Sequence, residues 1–302
     1  MSAHDKTRFN LMTVLNGDYF DFGKVFVNSF YDNIDRSRVN KLYVYDTGLD
    51  DAARRFLSAF PDLEVVGTHL NTRHLMLHDE DWRRNVYSKT AFLQQVVDRD
   101  RLPTIMVDSD CLFLRDFFDL IPTDRDFVAC RRRDVDAFSE YIASFFVINA
   151  VDRAAAMIQE WRDEMLYGTE NHKESPALTR VIARGAHDFA DMDEDVISYT
   201  GTQIDDSVKI VHMKSSATLR TVAQRIHQPC LAEYNARYFS DVPIVVRGTE
   251  REAAFIDAGL ALPHAAAQAP VLSAAERLAD QLSKVTPQQR ALLLKRLGRS
   301  SD

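Results

Sequence analysis

Thr104-Ile105-Met106-Val107-Asp108-Ser109-Asp110 reads as an apolar strand that ends in two carboxylates one residue apart. Side chains at positions i and i+2 of an extended segment point the same way, so Asp108 and Asp110 are expected to converge. Two carboxylates held together repel each other unless one is protonated or a cation lies between them. A divalent cation is the simpler explanation, and carboxylate oxygen suits Mg²⁺ or Mn²⁺. The alternative is a polar strand end whose carboxylates cap the next turn.

Strand-like and helix-like segments alternate on both sides of this stretch. This order predicts an α/β fold, with a mostly parallel twisted sheet and helices on both faces. The apolar runs predict strands at 11–15, 41–45, 63–66, 104–107, 127–130, 144–148 and 208–211. Helical spacing and capping residues predict helices at 20–30, 50–59, 88–97 and 153–165.

Polar residues stand at the carboxyl ends of the predicted strands, where ligands bind in sheets of this kind. Besides the two aspartates, they are Asn16, Asp46 and Arg131. His212 follows the late apolar run 208–211 and is the natural third metal ligand, since imidazole beside carboxylates suits Mn²⁺ better than Mg²⁺. A histidine of the core or the surface is the other interpretation of His212.

Basic residues near the carboxyl ends of the strands are candidates for holding a diphosphate beside the metal. The metal and the basic side chains would together neutralise the negative charge on the departing diphosphate. Lys89 is predicted near the start of its helix, and Arg131–Arg133 follow a strand. A solvated surface turn is the alternative for the three consecutive arginines.

Composition restricts the class of protein. The 302 residues are 46% hydrophobic, enough for a full core, and the net charge of -8 argues against general nucleic-acid binding. Three cysteines without a CxxC pair predict reduced thiols, and no apolar run approaches the ~18 residues that span a bilayer. We therefore expect a soluble cytoplasmic protein without a transmembrane segment.

The carboxyl-terminal part differs in character from the rest. An Ala- and Pro-rich stretch predicts a linker at 246–270, after a main domain at 1–245. Apolar residues at helical spacing predict a helical tail at 271–302, formed by two short amphipathic helices. These helices are expected to pack on the main domain or to dock a partner.

Five segments together resemble the GT-A glycosyltransferases, over about residues 9 to 220. The likeness is greatest to the retaining groups that include glycogenin-like and nucleotide-diphospho-sugar transferase proteins. The segments are Val44-Tyr45-Asp46-Thr47-Gly48-Leu49, Tyr87-Ser88-Lys89, the stretch 106–115, Lys173-Glu174-Ser175-Pro176-Ala177-Leu178 and Val211-His212.

The resemblance implies a Rossmann-like GT-A domain that transfers a sugar from a nucleoside-diphosphate donor to an acceptor hydroxyl with Mn²⁺ or Mg²⁺. UDP is the expected donor nucleotide, because it is the commonest in the family. The acceptor stays open between glycan, metabolite, lipid and protein. By position, the implied metal ligands are Asp108, Asp110 and His212; the implied donor-binding residues are Thr13, Leu15, Asn16, Asp46, Lys89, Ser109, Arg131 and Lys214; and Glu174 is implied near the anomeric carbon.

Two departures from the family pattern leave the sugar and the stereochemical outcome open. Ile142-Ala143-Ser144 stands where the family often has Asn-Ala-Gly, and Glu174-Ser175 replaces an Asp-Gln pair. One alternative is a binding protein of the same fold without turnover. The other is a phosphohydrolase of the haloacid dehalogenase type, which is disfavoured because Cys111 and Leu112 follow the second aspartate and three strands precede it.

Overall fold

The computed structural model describes residues 7–71, 80–132, 139–168, 173–194, 196–198 and 207–212. Lys214, the linker at 246–270 and the helical tail at 271–302 lie outside these residues. The domain boundary and the docking role of the tail therefore stay predictions.

Ten strands and five α-helices make up the described fold. The strands are β1 Phe9–Leu15, β2 Val39–Asp46, β3 Leu63–Gly67, β4 Thr104–Val107, β5 Cys111–Phe113, β6 Phe127–Arg131, β7 Tyr141–Ile148, β8 Phe189–Asp193, β9 Ile197–Ser198 and β10 Ile210–His212. The helices are α1 Phe20–Asn33, α2 Asp51–Leu57, α3 Glu80–Asp100, α4 Ala154–Tyr167 and α5 Glu174–Ala183.

Seven of these strands form one sheet in the order β3-β2-β1-β4-β7-β6-β8. The sheet is mostly parallel, as the sequence predicts. Strands β3, β2, β1 and β4 run parallel, and so do β6 and β8. Strand β7 is antiparallel to both β4 and β6, because a connection of only nine residues, 132–140, follows β6. The other three strands form a small sheet in the order β5-β10-β9.

Helices cover both faces of the large sheet, because successive apolar side chains along its strands point to opposite faces. Leu11 of β1 packs with Phe26 and Phe30 of α1 in one buried cluster, which also holds residues of α2. Met12, the next residue of β1, belongs to the opposite cluster, which includes Trp161 of α4 and residues of α3 and α5. The predicted layering is thus confirmed.

The prediction that a helix begins at Ser88 was wrong, since α3 begins at Glu80. The stretch before Ser88 is rich in charged residues, a composition typical of a polar connection. Arg84 is exposed and Val86 is buried, so this stretch is a helix with one solvated side. Lys89 consequently lies within the helix rather than near its start.

Within the described ranges, no helix has both the length and the apolar character needed to cross a lipid bilayer.

Candidate active site

Asp108 and Asp110 lie in a tight turn directly after β4. The Asp108 amide donates to the Ser144 carbonyl oxygen of β7 at 2.9 Å, which continues the sheet by one residue. The Cys111 amide then donates to the Asp108 carbonyl oxygen at 3.2 Å. This second bond folds the chain back on itself, so both carboxylates stay at the carboxyl end of β4.

The small sheet brings His212 to the same place. Strand β10 pairs antiparallel with β5, and His212 lies opposite Cys111 in that pairing. Because Cys111 directly follows Asp110, this register puts the imidazole beside the carboxylates. His212 Nε2 lies 3.2 Å from Asp110 Oδ1 and 3.7 Å from Asp108 Oδ2.

Lys89 and Glu174 extend the cluster on its other side. Lys89 Nζ lies 2.5 Å from Asp108 Oδ1 and 3.0 Å from Glu174 Oε2, so one ammonium bridges two carboxylates. Lys89 comes from α3 and Glu174 from the first residue of α5. The side chain of Glu174 is only 18% exposed, which is not the environment of a solvated surface acid.

Two further hydrogen bonds fix the first turn of α5, and with it Glu174. Trp161 Nε1 of α4 donates to the Glu174 carbonyl oxygen at 2.9 Å. The Ala143 amide of β7 donates to Ser175 Oγ at 3.0 Å. Ile142, one of the departures from the family pattern, is buried in the apolar core rather than in the cluster.

The electrostatics of the cluster are dominated by its three carboxylates. Burial works against charge on Lys89, but Asp108 and Glu174 outweigh it and raise the pKa of the ammonium. Burial also disfavours charge on His212, yet Asp110 and Asp108 raise the pKa of the imidazole. Burial raises the pKa of Glu174, and the nearby Lys89 only partly offsets this.

This arrangement fits a divalent metal ion. One ligand atom from each of Asp108, Asp110 and His212 lies within 4.8 Å of the others. Oxygen and imidazole nitrogen are ligands that Mn²⁺ accepts. Asp110 and His212 are both only 6% exposed.

Four residues predicted along the nucleoside lie at the carboxyl ends of β1 and β2, in different surroundings. Asn16 Oδ1 caps a 3₁₀ turn by accepting from the Tyr19 amide at 3.1 Å. Asp46 is buried, and both of its carboxylate oxygens accept hydrogen bonds from its own loop and from α2. Leu15 and Thr13 are buried, and the Leu15 side chain is part of the apolar core. We keep the donor-binding roles of these residues as predictions.

The remaining predicted donor residues divide between the cluster and the sheet edge. Ser109 is buried in the turn between the two aspartates. Arg131 lies elsewhere: its guanidinium pairs with Glu140 at 2.5 Å and with Asp191 of β8 at 2.9 Å. The described structure therefore does not bring Arg131 to Asp108 and Asp110.

The sequence analysis missed Tyr19, which belongs to the 3₁₀ turn Gly17–Tyr19 after β1. Burial raises the pKa of its phenol, and the charges of Asp110 and Asp108 raise it further. The Tyr19 phenol therefore stays a neutral hydroxyl close to the cluster. The sequence indicates the position of Tyr19 only through Asn16, the capping residue three positions earlier.

Cys111, the first residue of β5, is buried directly after Asp110. Burial, together with Asp110, raises the pKa of the thiol well above its usual range, so the side chain stays a neutral thiol. It behaves as a small apolar residue of the core.

A similar fold occurs in a glycosyltransferase of known structure. The chain is similar to the apo structure of the bifunctional glycosyltransferase WbbM, with a TM-score of 0.54 over 80% of this chain at 14% sequence identity. This chain spans about half of that structure's length, 53%. Neither a protein-family model nor a curated protein matches the sequence.

Proposed function

We propose that this chain is a metal-dependent GT-A glycosyltransferase, which moves a sugar from a nucleoside-diphosphate donor, UDP by preference, to an acceptor hydroxyl. The observation that carries the proposal is the convergence of Asp108, Asp110 and His212 at the carboxyl end of β4. This is the edge where ligands bind in open α/β sheets. The similarity to a glycosyltransferase fold supports the same class.

Asp108, Asp110 and His212 would hold Mn²⁺ or Mg²⁺. Bound there, the metal supplies Lewis-acid stabilisation of the negative charge that develops on the departing diphosphate. The carboxylates hold their positions before the donor arrives, because the turn after β4 and the ammonium of Lys89 fix them. Such preorganised charge costs no rearrangement during the reaction.

Lys89 acts as a bridge in this account. The resemblance placed it near the donor sugar or diphosphate, and the structure adds that its ammonium contacts Asp108 and Glu174. It therefore sets the position of Glu174 relative to the metal ligands. Glu174, held close to Asp108 by a single ammonium, is the carboxylate best placed to face the anomeric carbon of a metal-bound donor. We propose retention because the sequence resembles the retaining groups, with Glu174 beside the reacting centre.

A thermal-shift experiment with UDP, with and without Mn²⁺, tests the proposal. Saturating UDP with Mn²⁺ is expected to raise Tm by roughly 5–10 °C, since a ligand at 100 times its Kd adds about 2.7 kcal/mol and each kcal/mol shifts Tm by about 2–4 °C. UDP without metal is expected to shift Tm far less. Asp110→Asn should lose the metal-dependent shift, because a neutral amide is a poor ligand for the cation.

Asp191→Asn is the control, since Asp191 of β8 pairs with Arg131 and Tyr141 outside the cluster. It should keep the full shift. Equal shifts with and without metal would contradict the proposal. Phosphate release from phosphomonoesters with Mg²⁺, without stabilisation by UDP, would indicate the phosphohydrolase. Metal-dependent UDP binding without hydrolysis of any UDP-sugar would indicate a binding protein.

A further inference from the structure

Two loops are joined by hydrogen bonds at the carboxyl ends of β1 and β2. Strand β1 lies next to β4, which ends at the cluster of Asp108, Asp110 and His212. The Thr47 amide donates to the Leu15 carbonyl oxygen at 3.0 Å, and the Gly17 amide donates to the Gly48 carbonyl oxygen at 3.1 Å. A Cβ atom on Gly17 would lie 3.0 Å from that same oxygen, so the close approach favours glycine. The first loop continues to Tyr19, whose pKa the charges of Asp110 and Asp108 raise, so the joined loops lie close to the site.

Asp46 organises the second of these loops and cannot easily serve a ligand itself. Its Oδ1 accepts from the Gly48 amide at 2.8 Å and from the Leu49 amide at 2.7 Å. Its Oδ2 accepts from Arg54 Nε of α2 at 2.6 Å. Asp46 is only 3% exposed, so this buried carboxylate acts as a fixed anchor for the Arg54 guanidinium.

One edge of the Arg54 guanidinium is bound to Asp46, and the side chain is otherwise exposed to solvent. The exposed fraction of this side chain is 49%, although Nε is bound to a buried carboxylate. Nη1 makes a looser contact of 3.3 Å with the exposed Asp51, and Nη2 lies outside both contacts. A guanidinium is planar and always charged, so anchoring one edge also fixes the direction of its remaining donors. Arg54 therefore presents preorganised N–H groups beside the joined loops.

The position of Arg54 matches the far end of a nucleotide. Strand β2 is two places from β4 in the sheet, with β1 between them, and two strand spacings make about 10 Å. A nucleoside attached to a diphosphate at the Asp108–Asp110 end of the site can cross such a span. The base would then reach the carboxyl end of β2, where Asp46 holds Arg54.

We propose that Arg54, positioned by Asp46, recognises the donor base by donating to the keto oxygen O4 of uracil or O6 of guanine. This inference rests on the proposed function and adds a specificity residue to it. Uracil and guanine carry a keto oxygen where cytosine and adenine carry an amino donor. An N–H donor facing an amino donor gains no hydrogen bond, so Arg54 favours the keto bases.

Calorimetric titration of the full chain with UDP, GDP, CDP and ADP, each with Mn²⁺, tests this inference. The unaltered protein should bind UDP or GDP at least about tenfold more tightly than its amino counterpart, CDP or ADP respectively. Arg54→Lys keeps a cation for Asp46 but removes the planar fork, so it should stay folded and lose most of this preference. Arg55→Lys, on the neighbouring exposed residue of α2, is the matched control and should leave the preference unchanged.

The possible outcomes separate the role of Arg54 from the proposed function. Metal-dependent binding without preference for a keto base, or a preference that survives Arg54→Lys, would overturn the role of Arg54 and leave the proposed function intact. No metal-dependent binding of any nucleotide would overturn both. If Arg54→Lys lowers Tm severely, Arg54→Gln gives a second test, since its amide still donates to Asp46 but carries no charge and reaches less far.

Discussion

Asp110→Asn is expected to abolish the Mn²⁺-dependent release of UDP from a UDP-sugar, with at least a ~100-fold loss of rate. Losing a single preorganised group that stabilises transition-state charge costs about 10²–10³ in rate. Here the lost carboxylate is also a proposed metal ligand, only 3.2 Å from His212 Nε2. Asparagine keeps the shape of the side chain and removes its charge, so the loss reports on electrostatics rather than packing.

The measurement is slow donor hydrolysis without acceptor, followed by the UDP released, and it therefore does not depend on knowing the acceptor. Asp191→Asn again serves as the control and should retain nearly all of the rate. A variant at Asp110 that keeps more than half of the rate would exclude this residue from the metal site. Loss of rate in both variants would point instead to general damage to the fold.

Lys89→Met is expected to lower the free energy of unfolding by about 3–5 kcal/mol at pH 8. Removing one partner of a buried ionic cluster leaves uncompensated charge, and such changes typically cost this amount. Methionine is similar in length, so the change chiefly removes the ammonium that contacts Asp108 and Glu174. Lys24→Met is the control, because Lys24 pairs with a partly exposed Asp21 and should cost under about 1 kcal/mol.

The loss in Lys89→Met should depend on pH, and its sign follows from Glu174. Burial already raises the pKa of this carboxyl, and losing Lys89 removes the largest of the effects that lower it. An acid whose pKa is raised on folding stabilises the fold below its unfolded pKa and loses that stability as pH rises through the folded pKa. The variant should therefore lose less stability at pH 5 than at pH 8.

Urea unfolding at the two pH values, followed by circular dichroism, measures this difference. An equal loss at both pH values would mean that Lys89 does not control the protonation of Glu174.

Much of the sheet could be predicted from local sequence. Strand β4 was predicted with the bounds that the structure shows, because a short apolar run ends abruptly at Asp108. The start of α3 was missed, since charged residues on the solvated side of a helix resemble a polar loop. The antiparallel direction of β7 depends on a short connection, and apolar runs alone do not reveal strand direction.

The candidate site was harder to predict than the fold. Asp108 and Asp110 share one strand end, so their closeness follows from local geometry. His212 is about a hundred residues away, and only the pairing of β10 with β5 brings it near. The bridge from Lys89 to Glu174 joins two helices, so local sequence patterns do not predict it either. Asp46 was predicted near the donor, but the structure shows its oxygens engaged by its own loop and by Arg54.

The most direct measurement is an anomalous difference map from a crystal of this protein grown with MnCl₂ and UDP, recorded at the manganese edge. Our account predicts one strong peak about 2.0–2.3 Å from an oxygen of Asp108, an oxygen of Asp110 and a nitrogen of His212, with the UDP diphosphate on its open side. A map with UDP bound and no manganese peak among these three residues would contradict it.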